Sequence, residues 1–117
     1  MLGVTTALIG NCGFTIAPCK PADYDMTMRN LTQVEGMSLE VLKSGIDRGF
    51  ETFAEFLPTL RSKGCVVNTA TYIGHSAVRS WVMGADDSKR EETPIEIEQM
   101  QTTVRDAMAA GAVGFFQ

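Results

Sequence analysis

Residues 3–13 have the sequence Gly-Val-Thr-Thr-Ala-Leu-Ile-Gly-Asn-Cys-Gly, in which an apolar, β-branched run meets a cluster of turn-forming residues. Residues 4–9 are apolar on both faces, which is typical of a strand inside a parallel sheet covered on both sides. The glycines and the asparagine that follow favour a turn. We therefore predict a buried strand over residues 4–9, with Cys12 in the turn at its carboxyl end.

Two further segments have the composition of strands. Residues 66–73 are apolar and β-branched and lead into Gly74-His75-Ser76, which we interpret as a polar turn, while residues 112–116 form a third short apolar run. Helical patterns separate the three segments, and this alternation is typical of right-handed βαβ units. We therefore predict that the three strands are parallel neighbours in one sheet.

The first connection is predicted to contain two short helices. Residues 22–34 carry apolar side chains at helical spacing, and Gly36 ends the pattern. Ser38 then occupies the position of an N-cap before a second apolar run. The second helix is expected to end near Gly45 or Gly49.

Capping-box patterns mark the starts of two longer helices. Thr52 and Glu55 stand three residues apart before an apolar stripe, and Thr93-Pro94-Ile95-Glu96 adds a proline at the first helical position. Pro58 lies inside the first of these helices, where a proline typically costs about 3 kcal/mol, so we expect a kink or a later start. Gly111 is the expected C-terminal cap of the second helix.

Three parallel strands make a poor independent fold, because both sheet edges stay bare and one face stays uncovered. The sequence is therefore expected to be an arc of a larger barrel. We predict the α/β class, as a partial (β/α) TIM-type barrel of about three parallel strands with connecting helices, in which residues 1–117 form a single fragment. The bare edges and an uncovered apolar helix face also predict self-association of the isolated chain. That helix face consists of Phe53, Phe56, Leu57 and Leu60.

Length, composition and charge exclude several classes of protein. The chain has 117 residues, of which 44% are hydrophobic and 21% charged, as expected for one globular domain. Its formal net charge is -4 and no window gathers basic residues, which argues against a nucleic-acid partner. No apolar run approaches the ~20 residues of a membrane span and no secretory signal is visible, so we expect no membrane partner and a cytoplasmic location. The charged residues 86–92 are interpreted as a solvated loop.

The three cysteines, Cys12, Cys19 and Cys65, are expected to be free thiols, since their number is odd and no export signal is present. Cys12 ends its strand at the edge where α/β barrels carry functional groups, and a thiol there can be a nucleophile or a metal ligand. The alternative is a small buried residue that caps the strand. His75 follows the second strand in the same way, so a Cys/His pair is conceivable, although a turn histidine often only hydrogen-bonds a neighbouring loop.

Four segments of the chain form a set: residues 3–14 with the following Ala17-Pro18, residues 34–37, residues 68–79 with the Gly-His-Ser sequence, and residues 110–115. Together they resemble the N-acyl-D-amino-acid deacylases, or D-aminoacylases, of the amidohydrolase superfamily. The resemblance runs over nearly the whole chain. It implies a zinc-dependent (β/α) barrel with a small β-rich domain, which hydrolyses the amide bond of N-acyl-D-amino acids to a carboxylate and a free D-amino acid.

The resemblance also assigns roles to particular positions. The cysteine of the Gly-Asn-Cys-Gly turn is a metal ligand in that family, and the matching residue here is Cys12. The family's His-x-His pair lies upstream of this cysteine, and its further histidine ligands and catalytic aspartate lie downstream; none of them is present in this sequence. The resemblance therefore implies an internal fragment with Cys12 as metal ligand, His75 as a candidate rim residue, and no catalytic residue. The ending Gly114-Phe115-Phe116-Gln117 departs from the family, where a small hydroxyl residue commonly follows the Gly-Phe pair.

Two hypotheses follow from the sequence. In the first, the chain is part of an N-acyl-D-amino-acid deacylase and is inactive by itself. In the second, it is a non-catalytic α/β module, or a truncated reading frame, that completes its sheet by pairing with another copy. The two hypotheses make different predictions about metal: the first expects Cys12 to be a metal ligand in the complete enzyme, and the second does not.

Overall fold

The computed structural model describes residues 2–46 and 49–117 and confirms an α/β fold. Short parallel strands alternate with helices, as the sequence predicts. In chain order the elements are β1 (Thr6–Ile9), α1 (Tyr24–Glu35), α2 (Leu39–Gly45), α3 (Phe53–Lys63), β2 (Asn68–Thr71), β3 (Ile73–Gly74), α4 (His75–Met83), α5 (Pro94–Ala110) and β4 (Phe115–Phe116), with single turns of 3-10 helix at Pro21–Asp23 and Gly84–Asp86.

The strands pair in parallel, but as two ladders rather than one continuous sheet. β1 pairs with β2, with Thr6 opposite Asn68, and β3 pairs with β4, with Ile73 opposite Phe115. The predicted strand over residues 66–73 is thus divided at Tyr72, whose N–H donates to the Ile9 carbonyl at 3.0 Å. The two outer strands are staggered, so they meet the central segment at successive positions. The parallel arrangement is confirmed, whereas the prediction of one continuous sheet is wrong for the described residues, and the strands are shorter than predicted. The two ladders share the central segment 68–74, and together we call them the sheet.

The expectation that β1 is buried on both faces is wrong for the residues described. Leu8 is 53% exposed and Ile9 is 38% exposed. Leu8 is exposed because the helices pack on the other face of the sheet, the face that carries the fully buried Ile73. Ile9 is opposite Thr71 and so lies on the Ile73 face, but it is not part of the core cluster there. The buried core on that face consists of Ala17, Phe53, Phe56, Ile73, Val78, Ala107 and Ala112.

Helix α3 begins at Phe53, directly after its capping box, so a later start caused by Pro58 is wrong. Thr52 Oγ1 accepts the Glu55 N–H at 3.3 Å, and the Glu55 carboxylate accepts the Thr52 N–H at 2.9 Å. The apolar face of α3 is not uncovered either. Phe53 is 3% and Phe56 6% exposed, because α5 packs against α3 and contributes Ala107 to the same cluster.

Helices α1 and α2 form a smaller unit with its own apolar cluster of Met28, Leu31 and Leu42. Gly36 ends α1 in the left-handed region, with φ +66, and its N–H donates to the Thr32 carbonyl at 3.1 Å. Ser38 caps α2 as predicted, since its Oγ accepts the Val41 N–H at 3.3 Å. The helix ends at Gly45; the alternative end near Gly49 would include residues 47–48, which lie outside the described residues.

The predicted polar turn Gly74-His75-Ser76 is wrong, because helix α4 begins at His75 itself. Sequence signals could not show this start, since no side chain of the helix's own first turn caps it. The caps come from a distant loop instead. Thr15 Oγ1 accepts the Gly74 N–H at 3.1 Å, and the Gly13 carbonyl accepts the Ser76 N–H at 3.1 Å.

The charged stretch before α5 is mostly exposed, as predicted, but it is anchored to α4. The Arg79 guanidinium donates to the backbone carbonyls of Asp87 and Arg90 and forms an ion pair with Glu92. The hydroxyl of Ser80 donates to the Asp87 carboxylate. Arg79 therefore fixes the path of the loop that leads into α5.

The capping box of α5 is extended by an arginine. Thr93 Oγ1 accepts the Glu96 N–H at 3.3 Å, and the Glu96 carboxylate accepts the Thr93 N–H at 2.8 Å. The Arg90 guanidinium donates two hydrogen bonds to the same carboxylate, at 2.7 and 2.8 Å. The bonds from Arg90, followed by the backbone bond from Thr93, lower the pKa of Glu96 to about 2. Gly111 ends the helix, as predicted.

The three cysteines are free thiols in the structure, as predicted. Cys12 and Cys65 are exposed, whereas Cys19 is buried and its Sγ lies 3.4 Å from Thr27 Oγ1. Burial raises the pKa of the Cys19 thiol, and the bond with Thr27 opposes this only in part. None of the described helices combines the length and the hydropathy that crossing a bilayer would need.

The Glu96 cap predicts a pH dependence of stability. Because its pKa is lower in the folded chain, the ionised carboxylate stabilises the fold above about pH 4.5, and this contribution is lost as the pH falls towards about 2. We expect Glu96→Gln to flatten the dependence of the urea midpoint on pH in that window, measured by far-ultraviolet circular dichroism. The control is Glu98→Gln, which changes the same helix outside the cap. Equal slopes for wild type and Glu96→Gln would contradict the assignment.

Thiol accessibility provides a second prediction. A maleimide probe should label Cys12 and Cys65 quickly in the folded chain and label Cys19 only after unfolding, because the reactive thiolate form of Cys19 is both shielded and disfavoured. Peptide mass spectrometry of the labelled chain distinguishes the three sites. Equal labelling rates at all three cysteines would show that Cys19 is not buried against Thr27 in solution.

Candidate functional site

The turn that carries Cys12 lies at the carboxyl end of β1, and two glycines hold it there. Gly10 and Gly13 have φ values of +83 and +76. A Cβ at Gly10 would lie 2.7 Å from Thr15 Cγ2, and one at Gly13 would lie 3.3 Å from the carbonyl carbon of Gln117. The turn therefore packs closely against the residue that follows β4.

Cys12 is exposed within this turn. Its Sγ lies 3.7 Å from the Phe14 carbonyl oxygen. The alternative interpretation, in which Cys12 is a small buried residue that caps the strand, does not hold for this chain, because Cys12 is accessible to solvent. A thiol that is exposed at a strand's carboxyl end has access to ligands at that edge.

His75 occupies the first position of α4. The backbone at this helix start contacts the turn that carries Cys12, although the two are far apart in sequence. The Gly13 carbonyl and the Ser76 N–H join the two segments at 3.1 Å. The imidazole, however, meets Phe115 edge-on, with centroids 5.9 Å apart and planes at 86°. It lines a groove of about 370 Å³ together with Val78 of α4 and Met100 of α5. The backbone segments of Cys12 and His75 thus meet, while the ring of His75 packs on the side of the sheet that carries the helices.

A zinc ion held for catalysis usually has three protein ligands. Among residues 2–46 and 49–117, no group of three or more histidine, cysteine, aspartate or glutamate side chains is placed to hold a metal ion. The described residues therefore do not form a complete zinc site. Cys12 can supply one thiolate ligand.

An aromatic pair at the same edge was not identified as part of a site from the sequence. The rings of Tyr72 and Phe116 have centroids 5.6 Å apart and planes at 55°. Tyr72 follows β2 and Phe116 ends β4, so both lie near the carboxyl ends of the strands. Side chains alternate between the two faces of a strand, so the sequence could show which residues of one strand share a face. Placing Tyr72 and Phe116 on the same face also required the register between the two strands, which the sequence does not give.

Known proteins are similar to this chain in both sequence and fold. A D-aminoacylase from Alcaligenes xylosoxydans xylosoxydans is 38% identical over 112 residues, covering 96% of this chain and 20% of that protein. No family model matches the chain. The chain thus spans about a fifth of the length of the relatives it matches.

Two solved structures share the fold over 97% of this chain and 21% of theirs. D-aminoacylase, which has a binuclear metal centre and defines a subset of the amidohydrolases, matches with a TM-score of 0.66 and 36% identity. The N-acyl-D-glutamate deacylase of Bordetella bronchiseptica, solved with zinc and a phosphonate inhibitor, matches with a TM-score of 0.67 and 25% identity. The chain therefore belongs, as one segment, to the N-acyl-D-amino-acid deacylase family of amidohydrolases.

Proposed function

We propose that the chain is a segment of an amidohydrolase that hydrolyses the amide bond of N-acyl-D-amino acids. In this reaction water adds to the amide carbonyl and the C–N bond breaks, giving a carboxylate and a free D-amino acid. The observation that carries the proposal is the 38% identity to a D-aminoacylase across 96% of this chain. The N-acyl-D-glutamate deacylase with the same fold supports the same reaction class. The small-molecule partner is then an N-acyl-D-amino acid.

We further propose that the 117 residues form one arc of a (β/α) barrel. Parallel strands, their stagger and the restriction of helices to one face of the sheet all support this arrangement. In such a barrel the face without helices becomes the interior, and the carboxyl ends of the strands carry the active site. The chain by itself supplies only part of that site and is expected to be inactive.

Zinc is the proposed cofactor of the complete enzyme, with Cys12 as one of its ligands. The position of the exposed thiol at the carboxyl end of β1 supports this role, and thiolate is a ligand that suits zinc. When bound, the metal polarises the scissile carbonyl and lowers the pKa of its bound water. His75 stays a candidate rim residue, but the contact of its ring with Phe115 favours a packing role.

Substitution of Cys12 tests the ligand assignment. In the complete enzyme that contains this segment, Cys12→Ala should lower zinc affinity and deacylase turnover by more than about 100-fold, since even groups that only hydrogen-bond a metal ligand are worth roughly 10–100-fold. Zinc content is measured by mass spectrometry of the metal and turnover by release of the free amine. Cys65→Ala is the matched control, because Cys65 is also exposed but precedes β2 at the opposite end of the strand. Unchanged zinc and turnover in Cys12→Ala would leave Cys12 without a metal role.

A second candidate function, a non-catalytic module that pairs with another copy, is favoured by one observation. The face of the sheet without helices exposes Leu8 by 53% and Phe116 by 36%. An apolar strand with an open edge is a ready surface for association. The α3 face that the sequence suggested for this contact is covered, so the sheet itself is the candidate surface.

Sedimentation of the isolated chain tests this candidate. At micromolar concentration the chain should self-associate, and Leu8→Lys should reduce the association, because it places a charge on the open face. The control is Val41→Lys, which changes a residue of α2 that is 56% exposed. A monomer at all concentrations, or equal effects of the two variants, would argue against association through the sheet.

A further inference from the structure

The aromatic pair Tyr72–Phe116 lies on the face of the sheet that carries no helices. Ile73, the residue after Tyr72, is fully buried in the helix-packed core, and Phe115, the residue before Phe116, meets the His75 ring of α4. Side chains alternate between the two faces along a strand. Tyr72 and Phe116 therefore point to the opposite, open side, where their rings meet at 5.6 Å.

Gly114 lets the Tyr72 ring lie close against the backbone of the neighbouring segment. A Cβ at Gly114 would lie 3.0 Å from Tyr72 Cε1 and 3.1 Å from Cδ1. Any larger residue at position 114 would push the ring away from its present place. The backbone and Phe116 thus fix Tyr72 from two sides, while Phe116 keeps 36% of its surface exposed.

The pair is next to the turn that carries Cys12. A Cβ at Gly10 would lie 3.1 Å from the Tyr72 carbonyl oxygen, and one at Gly13 would lie 3.7 Å from the Phe116 carbonyl oxygen. The two glycines that shape the turn therefore contact the backbone of both aromatic residues. An apolar wall and the candidate metal-ligating turn share one edge of the sheet.

We propose that Tyr72 and Phe116 determine substrate specificity by contacting an apolar group that flanks the scissile amide. This inference rests on the proposed function: an amide held beside the Cys12 turn lies next to the aromatic pair, so one of its two flanking groups can reach this face. Two aromatic rings offer apolar area without a charge, so they favour an apolar group over a polar one. That group is either the acyl chain or the side chain of the D-amino acid, and the experiment distinguishes the two.

The experiment measures kcat/KM of the complete enzyme with three substrates. N-octanoyl-D-leucine against N-acetyl-D-leucine reports on the acyl chain, and N-acetyl-D-leucine against N-acetyl-D-asparagine reports on the side chain. Phe116→Ser should lower one of the two ratios by about tenfold, the scale on which a pocket senses a small change of apolar contact. The ratio that falls identifies which flanking group meets the aromatic pair.

Phe115→Ser is the matched control, because it removes the same ring from the adjacent position on the other face; it should leave both ratios unchanged. Phe116→Leu serves as a milder variant if circular dichroism shows that Phe116→Ser does not fold. Unchanged ratios in active Phe116 and Tyr72→Ala variants would overturn the specificity role while leaving the proposed function intact. A wild-type enzyme without activity on these three substrates and on N-acetyl-D-aspartate and N-acetyl-D-glutamate would instead refute the proposed function and, with it, this inference.

Discussion

The close contact between Gly13 and Gly74 is the constraint on which the rest of the structure depends. A Cβ at Gly74 would lie 2.2 Å from the Gly13 carbonyl oxygen, a distance that no side chain can accept. The same carbonyl caps α4 by accepting the Ser76 N–H, and Thr15 caps it by accepting the Gly74 N–H. The contact therefore joins the turn after β1 to the start of α4. It fixes the Cys12 turn at the edge of the sheet and starts a helix that has no cap of its own.

The second organising feature is a sheet with helices on one face only. Ile73 is buried on the helix side together with residues of α3 and α5, and burying such a side chain contributes roughly 1.5–3 kcal/mol to stability. The opposite face keeps Leu8 and Phe116 exposed. An open apolar face is costly in a chain that folds alone, but it is the normal inner surface of a barrel. The same feature therefore underlies both candidate functions, and the difference between them is what covers that face.

Local signals predicted the parts of the fold that short-range interactions determine. The capping boxes at Thr52 and Thr93 fixed the starts of α3 and α5, since each box is formed by residues three apart. The start of α4 was missed because its caps come from residues that are about sixty positions away in the sequence, among them Thr15. The covering of the α3 face was missed for a similar reason, because it depends on how α5 packs. The place of Cys12 after β1 was predicted, since strand and turn are adjacent in sequence.

The alternation of side chains between the two faces of the sheet decides which residues of this segment can share a site. The sequence alone could not show this, because the register between the strands was unknown. His75 and Cys12 both follow strands, which made a pair conceivable, but the His75 ring meets Phe115 on the helix side. Tyr72 and Phe116 belong to the open side, although each is adjacent in sequence to a residue of the other face. Because Ile73 pairs with Phe115, these two side chains share the helix side, and Tyr72 and Phe116 share the open side. Residues 2–46 and 49–117 place no group of three potential ligands together, so they do not by themselves complete a zinc site at Cys12.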